Sequence, residues 1–216
     1  MGDGNPPELD WRDGVPVARA FGDPYFSLAD GAAETRHVFL GGNDLPARLR
    51  DGFHVAELGF GTGLNALVLA AAWTGPGRIA MTSFEAFPMA KDDMARALSG
   101  FPGLGAEALL DQWPGERIAL GGLDLTLIPG DARDTLPRWA GRADAWFLDG
   151  FAPARNPELW EPDLMAQVAR HTAPGGSFAT YTAAGHVRQA LAAAGFAVER
   201  VPGFGRKRHM TRGRLP

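Results

Sequence analysis

The chain has 216 residues, a length typical of one domain with its own hydrophobic core. It contains no cysteine, which excludes a disulfide framework, a cysteine-based zinc site, an iron–sulfur cluster and a cysteine nucleophile. Glycine (29 residues) and proline (17) exceed their usual combined share of about 12%. Because 45% of residues are hydrophobic, we expect many tight turns in a folded chain. The net charge of −4, as a bulk figure, argues against a nucleic-acid partner.

The two ends of the sequence differ in charge. The N-terminal residues do not resemble a secretory signal, and no apolar run approaches the roughly 18 residues of a membrane span, so we expect a cytoplasmic protein without membrane contact. Segment 203–215 reads GFGRKRHMTRGRL and contains no acid. This block predicts either contact with a polyanion or a solvated terminal tail. Its basic residues are Arg206, Lys207, Arg208, Arg212 and Arg214.

The pattern along the chain predicts an α/β fold. Residues 1–50 show little periodicity and are interpreted as an N-terminal extension of a core at 51–216. Apolar runs in the core then alternate with helical patterns, which is typical of a doubly wound, mostly parallel sheet. The predicted strands are 53–58, 79–85, 118–120, 123–128, 143–149, 177–182 and 196–201, with the third and fourth paired as a hairpin. The predicted helices are 64–73, 90–98, 156–170 and 184–194.

A glycine-rich turn follows the first core strand, where ligands bind in such sheets. The sequence Glu57–Asn65 reads ELGFGTGLN, so the spacing is G-x-G-x-G and the dinucleotide pattern G-x-G-x-x-G is not met. A tight turn preceded by an acid suits a ligand with an amine and a carboxylate but no phosphate, such as S-adenosylmethionine. Glu57 would meet its ammonium, and the backbone of the turn its carboxylate and ribose. The alternative is a turn chosen only for its backbone shape.

Two further acids follow the next strands. Glu85 ends the second core strand and could accept both hydroxyls of a ribose, although a helix cap or a solvated strand end is the alternative. Asp131 follows the strand at 123–128 and could accept a hydrogen bond from an adenine amino group, with helix capping as a strong alternative. Together with the glycine turn, these acids predict a Rossmann-like class I S-adenosylmethionine-dependent methyltransferase.

Asp149 is the candidate catalytic residue. It follows the buried apolar run AWFL and is flanked by Trp146, Phe151 and Pro153. An apolar setting raises the pKa of a carboxylate unless a cation or a hydrogen bond compensates. Methyl transfer to an amine needs alignment of the nitrogen with the methyl carbon and removal of a proton, and Asp149 could serve either need. The alternative for Asp149 is a structural role in the following loop.

Several motifs together resemble the methyltransferase domain of the bifunctional tRNA (5-methylaminomethyl-2-thiouridine) biosynthesis protein family. The resemblance covers roughly residues 20–212. DGFAPA and GFGRK are its specific strings, and the glycine turn is generic. The motifs are DPYFSLADGAAETRHVFLGGN (23–43), ELGFGTGLN (57–65), SFE (83–85), DAWFLDGFAPARNPELW (144–160), ATYTAAGHVR (179–188) and GFGRKRHM (203–210).

The resemblance implies methyl transfer from S-adenosylmethionine to the exocyclic amine of 5-aminomethyl(-2-thio)uridine at the tRNA wobble position. It implies that Asp149 lies between methyl group and amine, and that Tyr25, Phe26 and Asn43 fold over the cofactor. No metal is expected. The cofactor contacts it implies are Glu57, Gly59, Phe60, Gly61, Gly63, Glu85 and Asp131.

The substrate side of the predicted pocket is less sharply defined. Phe151 and Tyr181 are expected near the pocket, where they either stack on a uracil ring or serve packing. Arg206, Lys207 and Arg208 are expected to contact the anticodon loop. His186 and His209 depart from the family pattern, which bears on tRNA contacts rather than on the cofactor site.

The sequence leaves two other functions open. Members of the family are often fused to a C-terminal FAD-dependent oxidoreductase domain, and the 216 residues contain no flavin fingerprint. The chain is interpreted as either a stand-alone enzyme or a fragment, and the aminomethyl group is expected to come from an oxidoreductase outside these residues. One alternative function is a transferase that acts on a free small amine. The other is an RNA-binding module with a vestigial cofactor pocket.

Overall fold

A computed structural model describes residues 6–27 and 30–216. The chain begins with a small antiparallel sheet of three strands, β1 (Leu9–Arg12), β2 (Val15–Ala18) and β3 (Asp23–Pro24). Helix α1 (Gly31–Thr35) follows and continues into a π-helical turn, Arg36–Gly41. The extension at 1–50 is thus folded over most of its described length, although its sequence shows little periodicity.

The rest of the chain forms an eight-stranded sheet with helices on both faces. Its strands are β4 (His54–Leu58), β5 (Ile79–Glu85), β6 (Arg117–Leu120), β7 (Leu123–Pro129), β8 (Ala143–Leu148), β9 (Thr172–Thr180), β10 (Ala197–Pro202) and β11 (His209–Arg214). The helices are α2 (Leu64–Ala72), α3 (Lys91–Leu98), α4 (Glu107–Leu110), α5 (Ala132–Thr135), α6 (Pro162–Arg170) and α7 (Gly185–Ala193). Three short 3-10 turns lie at Pro102–Leu104, Leu136–Arg138 and Pro157–Trp160.

The strand order is β10-β11-β9-β8-β4-β5-β7-β6. The five strands from β9 to β7 are parallel, whereas β6 and β11 pair antiparallel with their neighbours and β10 pairs antiparallel with β11. Alternate residues of the central strands feed two apolar cores, with Val55 and Phe147 on one face and Ala56 and Trp146 on the other. The predicted doubly wound, mostly parallel sheet is confirmed. The carboxyl ends of β4, β5 and β8 meet at one edge.

Most predicted elements are confirmed within one or two residues, but β9 begins at Thr172 rather than at 177, and the single helix at 156–170 is wrong. Pro157–Trp160 forms a 3-10 turn, and α6 starts only at Pro162. Glu161 between them is extended, with φ −62° and ψ 146°. The ring of a proline disfavours helical backbone at the preceding residue, so Pro162 separates the two segments.

The basic segment at 203–215 is not a solvated tail, which was one of its two sequence interpretations. Its second half is β11, which lies in the sheet between β10 and β9. Arg212 pairs with Glu199 at 2.9 Å, and Arg214 pairs with Asp44 at 2.6 Å. Two of the five basic charges are therefore committed to ion pairs beside the sheet. Across the described ranges, no helix is long and apolar enough to cross a membrane.

Candidate active site

A cavity of about 1550 Å³ lies at the carboxyl ends of β4, β5 and β8. The segment from β2 to α1 covers one side of it, and the loop between β10 and β11 contributes to the rim. Sites for one drug-sized ligand measure about 300–1000 Å³, so this cavity has room for two bound groups. The residues predicted for the site that line the cavity are Tyr25, Phe26, Gly59, Phe60, Gly61, Glu85, Asp131, Asp149, Phe151, Tyr181, Arg206 and Lys207.

Two glycines of the turn after β4 are required by their surroundings. Gly59 has φ +89°, and a Cβ there would lie 2.5 Å from the carbonyl oxygen of Asp149. Gly61 has φ +55°, and a Cβ there would lie 2.9 Å from the ring of Tyr25. Residues with a side chain rarely adopt such positive φ. A side chain would also collide with the backbone of Asp149 at position 59 and with the cavity wall at position 61. The turn therefore brings bare backbone to the cavity.

Glu85 fixes this turn from the end of β5. Its Oε2 accepts a hydrogen bond from the backbone N–H of Gly61 at 2.9 Å, and its Oε1 accepts one from the N–H of Phe87 at 2.8 Å. The backbone N–H groups of Phe60 and Ala86 also face this carboxylate, and together these four N–H groups oppose the rise that burial causes in its pKa. Glu85 lines the cavity and is therefore suited to accept a pair of vicinal hydroxyls.

Asp131 both lines the cavity and caps a helix. Its carboxylate accepts the N–H of Arg133 at 2.8 Å at the start of α5, and the guanidinium of Arg133 pairs with it at 2.7 Å. The hydrogen bond from Arg133 holds the pKa of Asp131 below its ordinary value. Within the protein, Asp131 therefore acts as the N-cap of α5, as the alternative interpretation expected. Its contact with adenine is a proposal.

The innermost wall is a network of buried polar side chains. Asn65, in the first turn of α2, donates from Nδ2 to Glu57 Oε1 at 2.8 Å and to Asp149 Oδ2 at 2.7 Å. Ser83 donates to Glu57 Oε2 at 2.6 Å, and Thr35 donates to Asn65 Oδ1 at 2.7 Å. Glu57 is fully buried and does not line the cavity, because Asn65 stands in front of it. Direct contact between Glu57 and a ligand ammonium is therefore not what the geometry favours.

The two acids joined by Asn65 have strongly raised pKa values. Burial raises the pKa of Glu57 to about 8, although hydrogen bonds from Ser83 and Asn65 oppose it. Burial raises the pKa of Asp149 to about 7, and the hydrogen bond from Asn65 again opposes it. A carboxylate that titrates near neutral pH at a cavity wall is suited to take and release a proton.

Three further residues predicted for the site do not line the cavity. Asn43 is fully buried outside the cavity, where its Nδ2 donates to the carbonyls of Phe39 and Trp146 and its Oδ1 accepts from Ser177. These bonds hold Asn43 between the π-helical turn and strands β8 and β9, so its side chain does not reach the cavity. Gly63 and Arg208 are also absent from the lining, and Gly63 instead caps α2 with φ +78°.

Aromatic side chains form much of the cavity wall. Phe151 stacks on Phe21, with ring centroids 4.7 Å apart, and meets Tyr25 edge-on at 5.1 Å. Tyr181 donates its hydroxyl hydrogen to the carbonyl of Gly150 at 2.8 Å, which fixes its ring beside Asp149. Phe21, Asn65 and Glu34 were not identified from the sequence, although Asn65 ends the glycine motif. Among the described residues, no group of three His, Asp or Glu side chains could hold a metal ion.

Comparisons with known proteins agree with this architecture. A crystal structure of MNMC2 from Aquifex aeolicus superposes with a TM-score of 0.77 at 28% identity, covering 99% of this chain and 72% of that one. The N-methyltransferase NodS from Bradyrhizobium japonicum superposes at 0.53 with 13% identity, covering 86% of this chain and 94% of that one, which shows a shared fold.

Curated relatives are more similar in sequence. A protein of a Caulobacter species named tRNA 5-methylaminomethyl-2-thiouridine biosynthesis bifunctional protein MnmC is 50% identical over 96% of this chain and 38% of its own length. The Pseudomonas aeruginosa protein of the same name is 48% identical over 99% of this chain and 36% of its length. The chain thus spans little more than a third of these relatives.

A profile of one protein family, described as S-adenosyl-L-methionine-dependent methyltransferase, matches residues 105–216. The match covers about half of the chain, including β8 with Asp149 at its end, and the superposed structures extend the similarity to the remainder. The chain belongs to this family of S-adenosyl-L-methionine-dependent methyltransferases.

Proposed function

We propose that this chain methylates the primary amine of 5-aminomethyl(-2-thio)uridine at the wobble position of tRNA. The observation that carries the proposal is Asp149, a carboxylate with a pKa near 7 in the wall of a cavity large enough for a cofactor and a nucleoside. Support for the substrate comes from the relatives, whose printed names refer to biosynthesis of 5-methylaminomethyl-2-thiouridine in tRNA.

The residues present fit S-adenosylmethionine. The carboxylate of Glu85 lines the cavity and is proposed to accept the two ribose hydroxyls, and the bare backbone at Gly59 and Gly61 suits close approach of the cofactor. Asp131 lies in the same wall for the adenine edge, and Phe60 and Phe26 contribute apolar surface. When bound, S-adenosylmethionine supplies an electrophilic methyl group on a sulfonium sulfur.

Asp149 is proposed to accept the proton of the substrate amine. Asn65 occupies Oδ2, which orients the carboxylate and leaves Oδ1 as the proton acceptor in this proposal. Loss of that proton gives the nitrogen the lone pair with which it forms the new carbon–nitrogen bond, as the carbon–sulfur bond breaks. The chain's main contribution is to align amine and methyl group and to exclude water.

The aromatic wall is proposed to receive the uracil ring. Phe151 is held by Phe21 and Tyr25, so its position is set before a ligand binds. Bases splayed out of RNA loops commonly stack on such rings. Arg206 lines the cavity and Arg208 follows on the same exposed loop, and within the described residues neither has an ion-pair partner. We propose that both contact phosphates of the anticodon loop.

The aminomethyl group must come from another reaction. We propose an FAD-dependent oxidoreductase as its source, and we place the methyl transfer in the cytoplasm with its tRNA substrate. We further propose that residues 1–50 act as an extension over the cavity of a core at 51–216, because β2, β3 and α1 supply part of the wall.

Transfer of tritiated methyl from S-adenosylmethionine to tRNA carrying the aminomethyl group tests the proposal. We expect transfer by the wild type, loss with Asp149→Asn, and weaker tRNA binding as salt rises. Fully modified tRNA, which has no free primary amine at this position, is the matched control. Equal transfer to free aminomethyluridine, independent of salt, would instead favour a small-amine transferase. Absence of transfer with intact tRNA binding would favour an RNA-binding module.

A further inference from the structure

The ammonium group of Lys207 lies between a carboxylate and an aromatic ring in the cavity wall. Its Nζ lies 3.0 Å from Glu34 Oε1 and 3.8 Å from the centre of the Tyr181 ring. The three residues come from α1, from the end of β9 and from the loop between β10 and β11, and all of them line the cavity. A carboxylate beside an aromatic face is an arrangement that binds alkylammonium groups.

The carboxylate and the ring are more buried and better anchored than the lysine side chain. The Glu34 side chain is only 13% exposed, and its second oxygen, Oε2, accepts the backbone N–H of Ser27 at 3.1 Å. Tyr181 is anchored through its hydroxyl to Gly150, the neighbour of Asp149. The Lys207 side chain is 45% exposed, and its long flexible stem can carry the ammonium back into water. The site would therefore persist if Lys207 left.

The same site lies within electrostatic reach of the proposed proton acceptor. The negative charge of Glu34 raises the pKa of Asp149, and the positive charge of Lys207 lowers it. A cation held by Glu34 is thus close enough to influence the carboxylate that would deprotonate it. Together with the hydrogen bond from Tyr181 to the carbonyl of Gly150, the neighbour of Asp149, this puts the ammonium site on the same side of the cavity as the proposed proton acceptor.

We propose that Glu34 and Tyr181 form the subsite for the substrate's primary ammonium, and that Lys207 fills it until the substrate displaces it. This inference rests on the proposed function, which supplies an aminomethyl group as the ligand. A primary ammonium on a flexible carbon stem has the donors and charge of Lys207, so it meets the same carboxylate and ring. Binding of the substrate then frees the loop that carries Lys207 from its contact with α1.

The two lysines of the sequence, Lys91 and Lys207, make the displacement directly observable. In protein labelled with carbon-13 at the lysine ε position, the ring of Tyr181 should shift the Lys207 signal upfield. Lys91 is exposed on α3 and serves as the internal reference. We expect 5-aminomethyluridine to move the Lys207 signal towards that of Lys91, and uridine, which lacks the amine, to leave it in place.

Variants separate the contributions of the Tyr181 ring, the Glu34 carboxylate and the Lys207 ammonium. Tyr181→Phe keeps the ring and should keep the shift, whereas Tyr181→Leu should abolish it. Glu34→Gln should weaken binding of 5-aminomethyluridine roughly tenfold, as for loss of a hydrogen bond between charged groups. Lys207→Met removes the competing ammonium and should tighten binding about fivefold. Glu107→Gln, an exposed acid on α4, is the matched control and should change neither value.

The outcomes distinguish this inference from the proposed function. A Lys207 signal that does not move with 5-aminomethyluridine overturns the subsite, whatever the transfer assay shows. If the signal moves but no methyl group reaches tRNA, the subsite stands and the proposed function fails.

Discussion

The Asn65 side chain donates a hydrogen bond from Nδ2 to Asp149 Oδ2 at 2.7 Å. The same amide nitrogen donates to Glu57 at 2.8 Å, so one side chain joins a fully buried acid to the acid at the cavity. This link connects the end of β4 with the end of β8 through the first turn of α2. The orientation of Asp149 therefore depends on a residue that we do not expect to touch the reacting atoms.

Replacing Asn65 by alanine should slow methyl transfer. We expect a fall in kcat of about tenfold to a hundredfold, in the range seen when a supporting hydrogen bond to a reactive group is lost. Because the bond from Asn65 lowers the pKa of Asp149, its loss should also move the rate–pH profile to higher pH. Rates measured across pH give both values. The control Ser83→Ala removes a partner of Glu57 but leaves Asp149 bonded, and an unshifted profile for Asn65→Ala would contradict the assigned role.

Methyl transfer should depend on the ionisation of Asp149. Its pKa is raised to about 7, and only the ionised form accepts a proton, so the rate should rise with pH up to about 7 and then level off. Single-turnover rates over this range test the dependence. A rate that is flat from about pH 5 to about pH 8 would show that another group, or none, takes the proton.

The buried acid Glu57 should make stability depend on pH. The pKa of Glu57 is about 8 in the folded state, which is above its value in the unfolded state. Glu57 therefore stabilises the folded state most at low pH, and this stabilisation is lost as the pH rises towards 8. Glu57→Gln cannot ionise and should lack this loss. In urea denaturation, the free energy of unfolding of the variant relative to the wild type should increase by about 1–3 kcal/mol between roughly pH 5 and pH 8.5. A constant difference, as expected for the control Glu107→Gln, would contradict this.

Substituting Gly61 should impair cofactor binding. Alanine at φ +55° costs about 1–2 kcal/mol, and its Cβ would press on Tyr25 and displace the N–H that bonds Glu85. We expect the Kd for S-adenosylmethionine to rise tenfold or more by calorimetry. Gly52→Ala is the control, because Gly52 has φ +74° and no atom within 4 Å of a Cβ. It should lower stability alone, and equal Kd values for the two variants would overturn the role of the turn.

The strand ends were predictable from the sequence, because continuous apolar runs mark buried parallel strands and glycines mark their ends. Glu85 and Asp149 could therefore be placed at the cavity. The sequence does not show that Asn43 and Glu57 face away from the cavity, because the direction in which a polar side chain points from a strand or turn depends on packing. Asn65 was not recognised as a site residue, because it stands at the end of the glycine motif and no sequence pattern marks its side chain.

Strand β11 was missed because its arginines read as a charged tail. In the fold, Arg212 pairs with Glu199 on the preceding strand β10, and Arg214 pairs with Asp44, which is distant in sequence. The small sheet β1–β3 was missed for a related reason. Its strands are only two to four residues long, too short for a periodic pattern.

Mass spectrometry of tRNA nucleosides tests the central claim most directly. Protein, S-adenosylmethionine and tRNA bearing 5-aminomethyl-2-thiouridine are incubated, and the tRNA is digested to nucleosides. The account predicts conversion to 5-methylaminomethyl-2-thiouridine by the wild type and none by Asp149→Asn. Unchanged aminomethyl nucleoside with the wild-type protein, or a methyl group found on any other nucleoside, would contradict it.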